Sequence, residues 1–373
     1  MSIQKKVLVA MSGGLDSSAV CMMLIEQGYA IEGVTMRMWD TPSKFVIYNQ
    51  AEPDYIIEAR ELASRLGFKH HVTDIRPVFN ETVVSHFINE YLQGRTPNPC
   101  VYCNKQIKWH YLLEKANELN CDFVATGHYA TIEQLNNHYY ILQGDDDTKD
   151  QSYFLWRLGD EELSKTLFPL GGMRKSTVRD YLRQRGFTEK AEKPESMEVC
   201  FIDGDYRDFL RAHVPDIDEK IGKGNYVNNE GKKIGIHDGF PFYTIGQRKG
   251  LGIALGYPAF VTKINPIKNT IKVGPKEELL TYKMEVRECR VADAEELSNP
   301  NLHVRIRYRS KAVPCKAEWT EEGVIEVTFD DPVSAVTPGQ SAVFYIDQRV
   351  VGGGIISAKR RPHKSIVSEN ESR

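Results

Sequence analysis

Ser12-Gly13-Gly14-Leu15-Asp16-Ser17 lies between the apolar run Val7-Leu8-Val9-Ala10-Met11 and the segment Ser18-Ala19-Val20-Cys21-Met22-Met23-Leu24, and its reading decides the fold. The order is that of a buried strand, a glycine turn and a helix. Such a turn brings bare backbone N–H groups to a helix N-terminus, where unpaired donors and the helix dipole favour phosphate. The two glycines let backbone approach an anion, and Ser12 and Ser17 add hydroxyl donors. Asp16 is the odd member. A carboxylate beside phosphates repels them unless a cation lies between, so it implies Mg²⁺.

Outward from this loop, strand and helix alternate for about 130 residues. Ala30–Met36 reads as a second strand, 40–53 as a surface loop, and Asp54–Leu66 as a helix stopped by Gly67. His70–Asp74 is a short strand, 79–93 and Lys105–Leu119 are helices, and Phe123–Thr126 is a further strand. This alternation predicts an α/β domain with a doubly wound parallel sheet, its ligand at the carboxyl ends of the strands. The glycine loop lies at such an end, and so does Thr126-Gly127-His128-Tyr129. After about residue 205 the pattern changes. Lys233–His237 and Phe242–Gly246 read as strands, and from 277 to about 357 short strands and turns predict a small β-barrel. The expected domains are therefore 1–205, 206–276 and 277–358, with a polar tail at 359–373. Gly250, Gly252 and Gly256 have the wrong spacing and context for a dinucleotide site and read as loop.

The 373 residues include seven cysteines and carry a formal net charge of −3, so bulk charge gives no support to nucleic-acid binding. No apolar run approaches the roughly 20 residues of a membrane span. Met1–Lys6 runs straight into the first strand, which leaves no room for a signal peptide and points to the cytosol. An odd cysteine count argues against a disulfide framework. Cys100 and Cys103 follow Thr96-Pro97-Asn98-Pro99, whose prolines predict an extended loop with a helix beginning after Asn104. Thiols at a helix N-terminus, with Lys105 adjacent, are expected to have lowered pKa values. Cys200 follows Glu195-Ser196-Met197-Glu198-Val199, and Cys21, Cys121, Cys289 and Cys315 read as inert packing.

The glycine loop is not a Walker A loop, because no lysine follows the glycines. It resembles the S-G-G-x-D-S loop of the ATP pyrophosphatase superfamily, whose members cleave ATP between the α and β phosphates. Nearly the whole chain resembles the tRNA-specific 2-thiouridylases. The matching segments are Met11–Ser18, Thr96–Lys105, Thr126–Ala130, Lys149–Leu155, Cys200–Ile202, Tyr243–Leu251 and Pro338–Ala342. The resemblance implies an N-terminal domain of the adenine-nucleotide alpha hydrolase type and a central domain that contacts tRNA. It implies sulfur replacement of the C2 oxygen of the wobble uridine, after that oxygen is adenylated. It assigns ATP to Ala10, Met11, Ser12, Gly13, Gly14, Leu15, Asp16, Ser17, Met36 and Gly127, and the target base to Asn98, Pro99 and Cys100. It assigns tRNA contacts to His128, Lys149, Asp150, Gln151, Tyr308, Arg309 and Gln340. Cys103 matches the catalytic nucleophile and Cys200 the cysteine that carries persulfide sulfur from a donor or relay protein.

Many family members have Asp where this chain has Cys100. Three thiols suit a [4Fe–4S] cluster with one open iron, held by Cys100, Cys103 and Cys200, and the third thiol tilts the reading toward it. Zinc on three thiolates and a persulfide relay without metal stay open. Arg305, Arg307, Arg309 and Lys311 alternate with apolar residues, which in a strand aligns four cations on one face over about 20 Å, suited to phosphates. Gln247-Arg248-Lys249 and Lys359-Arg360-Arg361 are weaker versions of that signal, and Tyr102 or Trp109 could stack on an extruded base. Two rival functions are a pyrophosphate-loop synthetase acting on a small carboxylate, and a non-enzymatic RNA-binding protein with a structural metal.

Overall fold

Three adjacent residues of β1 (Lys6–Ala10), Val7, Leu8 and Val9, are fully buried, because the strand has parallel neighbours on both sides. The structure is a computed structural model that describes residues 4–40, 52–192, 199–320 and 323–358. β2 (Ala30–Arg37) and β3 (His70–Asp74) lie to one side of β1, and β4 (Phe123–Ala125) to the other. The hairpin β5 (Ala130–Leu135) and β6 (His138–Gln143) follows β4, and β7 (Thr166–Leu167) completes the parallel order β3-β2-β1-β4-β7. Strand order reverses between β1 and β4, so a ligand crevice opens at their carboxyl ends.

The helices obey the local rules. Leu15–Glu26 follows the glycine loop, and Asp54–Leu66 ends at Gly67 with φ +78. Residues 76–92 and 99–118 are helices interrupted by single π turns at Asn80–Val84 and Asn104–Trp109. The second of these starts at Pro99, six residues earlier than expected, because proline at a first helical position needs no hydrogen bond. Cys100 and Cys103 therefore sit inside the first turn and not in an extended loop.

β8 (Gly224–Val227), β9 (Lys233–His237), β10 (Phe260–Asn265) and β11 (Thr270–Gly274) form a small sheet in the order β10-β11-β8-β9. Phe242–Gly246 is not a strand. Pro241 shapes a 3₁₀ turn at Phe240–Phe242, and irregular chain follows. β12 (Leu280–Val291), β13 (Leu302–Arg305), β14 (Val313–Trp319), β15 (Ile325–Ser334), β16 (Ser341–Ile346) and β17 (Arg349–Ile356) form a six-stranded barrel closed by the β12–β17 pairing. β6 pairs with β17, so the N-terminal hairpin extends the barrel sheet.

The basic ladder is corrected by the structure. β13 ends at Arg305, and the chain then turns through residues 306–310. Arg305 pairs with Asp150 at 3.1 Å. Arg307 donates to the carbonyls of Ile245 and Ala335 and to Thr337 Oγ1. Only Arg309 and Lys311 remain exposed. Residues 41–51, 193–198 and 359–373, which include most of the expected 40–53 loop, the segment before Val199, and Lys359-Arg360-Arg361, lie outside the described residues.

Candidate active site

The glycine loop is held by its own hydroxyls. Ser12 N–H donates to Ser17 Oγ at 3.2 Å, and Ser17 Oγ and Ser18 Oγ donate to the Gly14 carbonyl at 3.2 and 2.8 Å. Gly13 has φ +69, and a Cβ there would meet Tyr55 Cα at 2.9 Å and its carbonyl oxygen closer still. Gly14 caps the Leu15–Glu26 helix without a side-chain hydrogen bond, so the first-turn N–H groups keep no intrahelical acceptor. Met11 N–H donates to Val34 O, and Met36 lies at the carboxyl end of β2. Gly127 backs onto the helix start, where a Cβ would lie 2.9 Å from Asp16 Cβ. Ala10–Ser17, Met36 and Gly127 thus gather at the carboxyl ends of β1, β2 and β4.

Asp16 is already neutralised. Lys175, the first residue of the Lys175–Gln184 helix, donates to both carboxylate oxygens at 2.8 Å, and Tyr129 hydroxyl donates to Oδ1 at 2.8 Å. Lys190 donates to the Gly13 carbonyl at 3.0 Å. Sequence reasoning missed both lysines. The only signal was a second glycine pair before a helix, Gly171-Gly172, and the chain separation hid it. An ammonium thus supplies the carboxylate with a countercharge in this fold.

The thiols depart from expectation in their chemistry. Burial pushes Cys100 up to about 11 and Cys103 up to about 12, with the Lys108 charge opposing it in both. Desolvation outweighs the helix terminus, so these thiols are protonated at neutral pH and are not activated. Cys200 is exposed, yet close enough for its charge to raise both buried thiols. Among the described residues no three His, Cys, Asp or Glu side chains gather closely enough to hold a metal ion. Cys100, Cys103 and Cys200 are thus not gathered into a cluster ligand set in this fold.

His128 and Tyr129 connect the two halves. Tyr129 touches Asp16 of the loop. His128, next in chain, packs on Trp109 and Phe168, with ring centroids 5.5 and 6.0 Å away, and Thr126 Oγ1 lies 2.7 Å from its Nδ1. Burial and the Lys108 charge hold its imidazole well below the usual range, hence neutral. Trp109 is fully buried with its indole N–H on Thr166 Oγ1, which makes it core rather than a base platform. Tyr102 stacks on His86 at 4.4 Å. A cavity of about 340 Å³ adjoins it, lined by Asn98, Val101, Tyr102, Arg157 and Gly339 among others.

The barrel fastens the loop that carries the thiols. Gln340 Nε2 donates to the carbonyls of Thr96 and Pro97 at 3.1 and 2.9 Å, and Thr96 N–H donates to Pro338 O. Gly339 has φ +92 and lies so close that a Cβ would be 2.7 Å from Thr96 O. Tyr308 packs on Phe154 with ring centroids 4.4 Å apart, and burial pushes its hydroxyl above the usual range. Asp150 is 4 % exposed and accepts hydrogen bonds from Gln143, Gly144, Ser152 and Arg305. Gln151 Oε1 accepts from Tyr129 N–H. Lys149 is partly buried and Arg309 is exposed.

Profiles described as a tRNA methyl transferase HUP domain, a tRNA methyl transferase PRC-barrel domain and an aminomethyltransferase beta-barrel domain match residues 5–204, 207–275 and 281–356. The chain is 54% identical over 370 residues to "tRNA-specific 2-thiouridylase MnmA 3" of Phocaeicola vulgatus, covering 99% of this chain and 98% of that protein. It is 46% identical to "tRNA-specific 2-thiouridylase MnmA" of Amoebophilus asiaticus over 359 residues, 95% of each. A namesake from Natranaerobius thermophilus is 42% identical over 365 residues, 95% of this chain and 98% of that protein. Matched from end to end at this similarity, the chain belongs to the tRNA-specific 2-thiouridylase family.

Proposed function

We propose that this protein is a tRNA-uridine 2-sulfurtransferase that uses ATP to replace the C2 oxygen of the wobble uridine with sulfur, and that its sulfur moves through thiols without a cluster. One observation carries this reading. Half-buried Cys100 and buried Cys103 share a helical turn, Cys200 lies within their electrostatic reach, and His128-Tyr129 joins that pocket to the pyrophosphate loop. A synthetase acting on a carboxylate has no use for such thiols, and a structural metal has no ligand group among the described residues.

The chemistry divides between the two halves. The uridine C2 oxygen attacks the α-phosphorus of ATP, the α–β bridging bond breaks, and pyrophosphate leaves. The first-turn N–H groups and Ser12 and Ser17 hydroxyls suit the phosphates. Cys200, being exposed, can accept sulfur from an external persulfide donor. Its terminal sulfur attacks C2 and AMP leaves, giving a C2–S–S–Cys200 adduct. Cys103 then attacks Cys200 Sγ, the S–S bond breaks, and 2-thiouridine departs. The two cysteines end as a disulfide that an external dithiol reduces. All seven cysteines are free in the fold, which suits a reducing cytosol. Lys149, Tyr308 and Arg309 are the residues here best disposed to meet RNA.

The test is thiolation of unmodified tRNA, scored by nucleoside mass spectrometry, with metal-free protein, ATP and Mg²⁺. With a protein persulfide donor, Cys200→Ser and Cys103→Ser should each abolish product while circular dichroism stays native. With free sulfide alone, Cys200→Ser should keep its activity. Product formed only after anaerobic iron–sulfur reconstitution would overturn the relay.

A further inference from the structure

The glycine loop lacks the lysine that a Walker loop carries, but the fold supplies one from 159 residues downstream. Lys175 is only 7 % exposed, and its ammonium spans both oxygens of Asp16. It also sits 5.4 Å from the centroid of the Tyr129 ring, whose hydroxyl binds the same carboxylate.

Its position is fixed from behind. Lys175 N–H donates to Asp146 Oδ2 at 2.9 Å, and Asp145 N–H donates to Gly171 O. Gly171 packs so tightly on the start of β5 that a Cβ would lie 2.7 Å from the Ala130 carbonyl carbon. Burying an ion pair costs desolvation, and an apolar pair would serve stability as well or better. A lysine ammonium is a compact point charge well matched to phosphate oxygens.

Resting on the ATP-dependent reading above, we propose that Lys175 is a polyphosphate-binding residue of this enzyme. Its ammonium is stored on Asp16 and passes to the β and γ phosphates when ATP binds, staying with pyrophosphate as that group leaves. Asp16 is then the docking point for this cation, which explains a carboxylate inside an anion-binding loop.

The experiment is calorimetric titration of the full-length protein with ATP, pyrophosphate and AMP, for wild type, Lys175→Met and Lys175→Arg, with thermal melts beside it. Lys175→Met should weaken ATP and pyrophosphate by about ten- to hundred-fold, the worth of a charge-assisted hydrogen bond, and leave AMP within about twofold. Lys175→Arg should restore most of the ATP affinity. If Lys175→Met does not fold, the Asp16→Asn, Lys175→Met pair removes both charges and should show the same selective loss. Equal weakening of AMP and ATP, or a lowered melting temperature with all three affinities intact, would make Lys175 a structural lock and overturn the proposal. Wild-type protein that binds neither ATP nor AMP would overturn the ATP reading itself.

Discussion

Alkylation of Cys103 should accelerate about tenfold per pH unit from pH 7 to pH 10, with no plateau. Burial pushes this thiol up to about 12. At pH 7.5 roughly one Cys103 in thirty thousand is then a thiolate, against roughly one in ten to thirty for an ordinary thiol. Ionising this thiol inside the fold therefore costs about 4 kcal/mol more than ionising an ordinary one, and the fold avoids that cost by keeping it protonated. Lys108 opposes it, so Lys108→Met should push the thiol further up and slow alkylation at every pH, while Lys108→Arg should not. The assay is timed iodoacetamide labelling of the native chain, quenched and read by peptide mass spectrometry, with the urea-unfolded chain as reference. Slow access through the buried pocket lowers the whole curve but does not bend it, so shape and rate separate. A plateau below pH 9, or indifference to Lys108→Met, would refute the reasoning. If the slope holds, Cys103 can serve as the nucleophile of the proposed relay only once bound substrate repacks the pocket or removes the proton.

Four other outcomes follow from packing and burial. Gly13→Ala should cost at least about 2 kcal/mol in urea unfolding and abolish ATP binding, since the left-handed penalty of about 1–2 kcal/mol adds to the Tyr55 collision. Gly28→Ala, with φ +85 but nothing within 4 Å, should cost only that penalty and leave ATP affinity unchanged. Gln340→Ala should cost about 1–2 kcal/mol for two lost hydrogen bonds and lower thiolation more than ATP affinity. Burial lowers His237 to about 4, so the unfolded chain binds its proton first as pH falls below about 6.5. Stability should therefore drop between about pH 6.5 and 4, and His237→Asn should flatten that fall in melting temperature.

Much of the architecture was legible because it depends on local pattern. Val7-Leu8-Val9, Gly67 after a helical repeat and the barrel alternation each specify their element within a short window. The thiol turn was misread because two prolines predict extended chain, whereas Pro99 begins the helix and carries Cys103 into the core. Lys175, Lys190 and Lys108 were invisible as site residues because a lysine has no local signature, and only packing brings them to Gly13, Asp16 and Cys103. The basic ladder failed for a related reason. Alternation predicts which side a residue faces, not what waits there, and Arg305 and Arg307 found a carboxylate and carbonyls in place of solvent.

That last failure bears on how the barrel contributes. Gln340 uses its amide on the backbone of Thr96 and Pro97, and Asp150 is spent on Arg305 and on its own turn. Groups so engaged cannot meet RNA without first being released, and releasing Asp150 would leave Arg305 partly buried and unpaired. Their more economical role is to hold the thiol turn and the His128-Tyr129 exit in a fixed relation across two domains. In the proposed reaction adenylation and sulfur delivery converge on one C2 carbon, and an error of about 1 Å in that relation costs orders of magnitude in rate. A loop as short as Thr96–Pro99 cannot hold such a position alone. The clamp through Pro338-Gly339-Gln340 supplies the missing rigidity and ties a barrel remote in sequence to the candidate site.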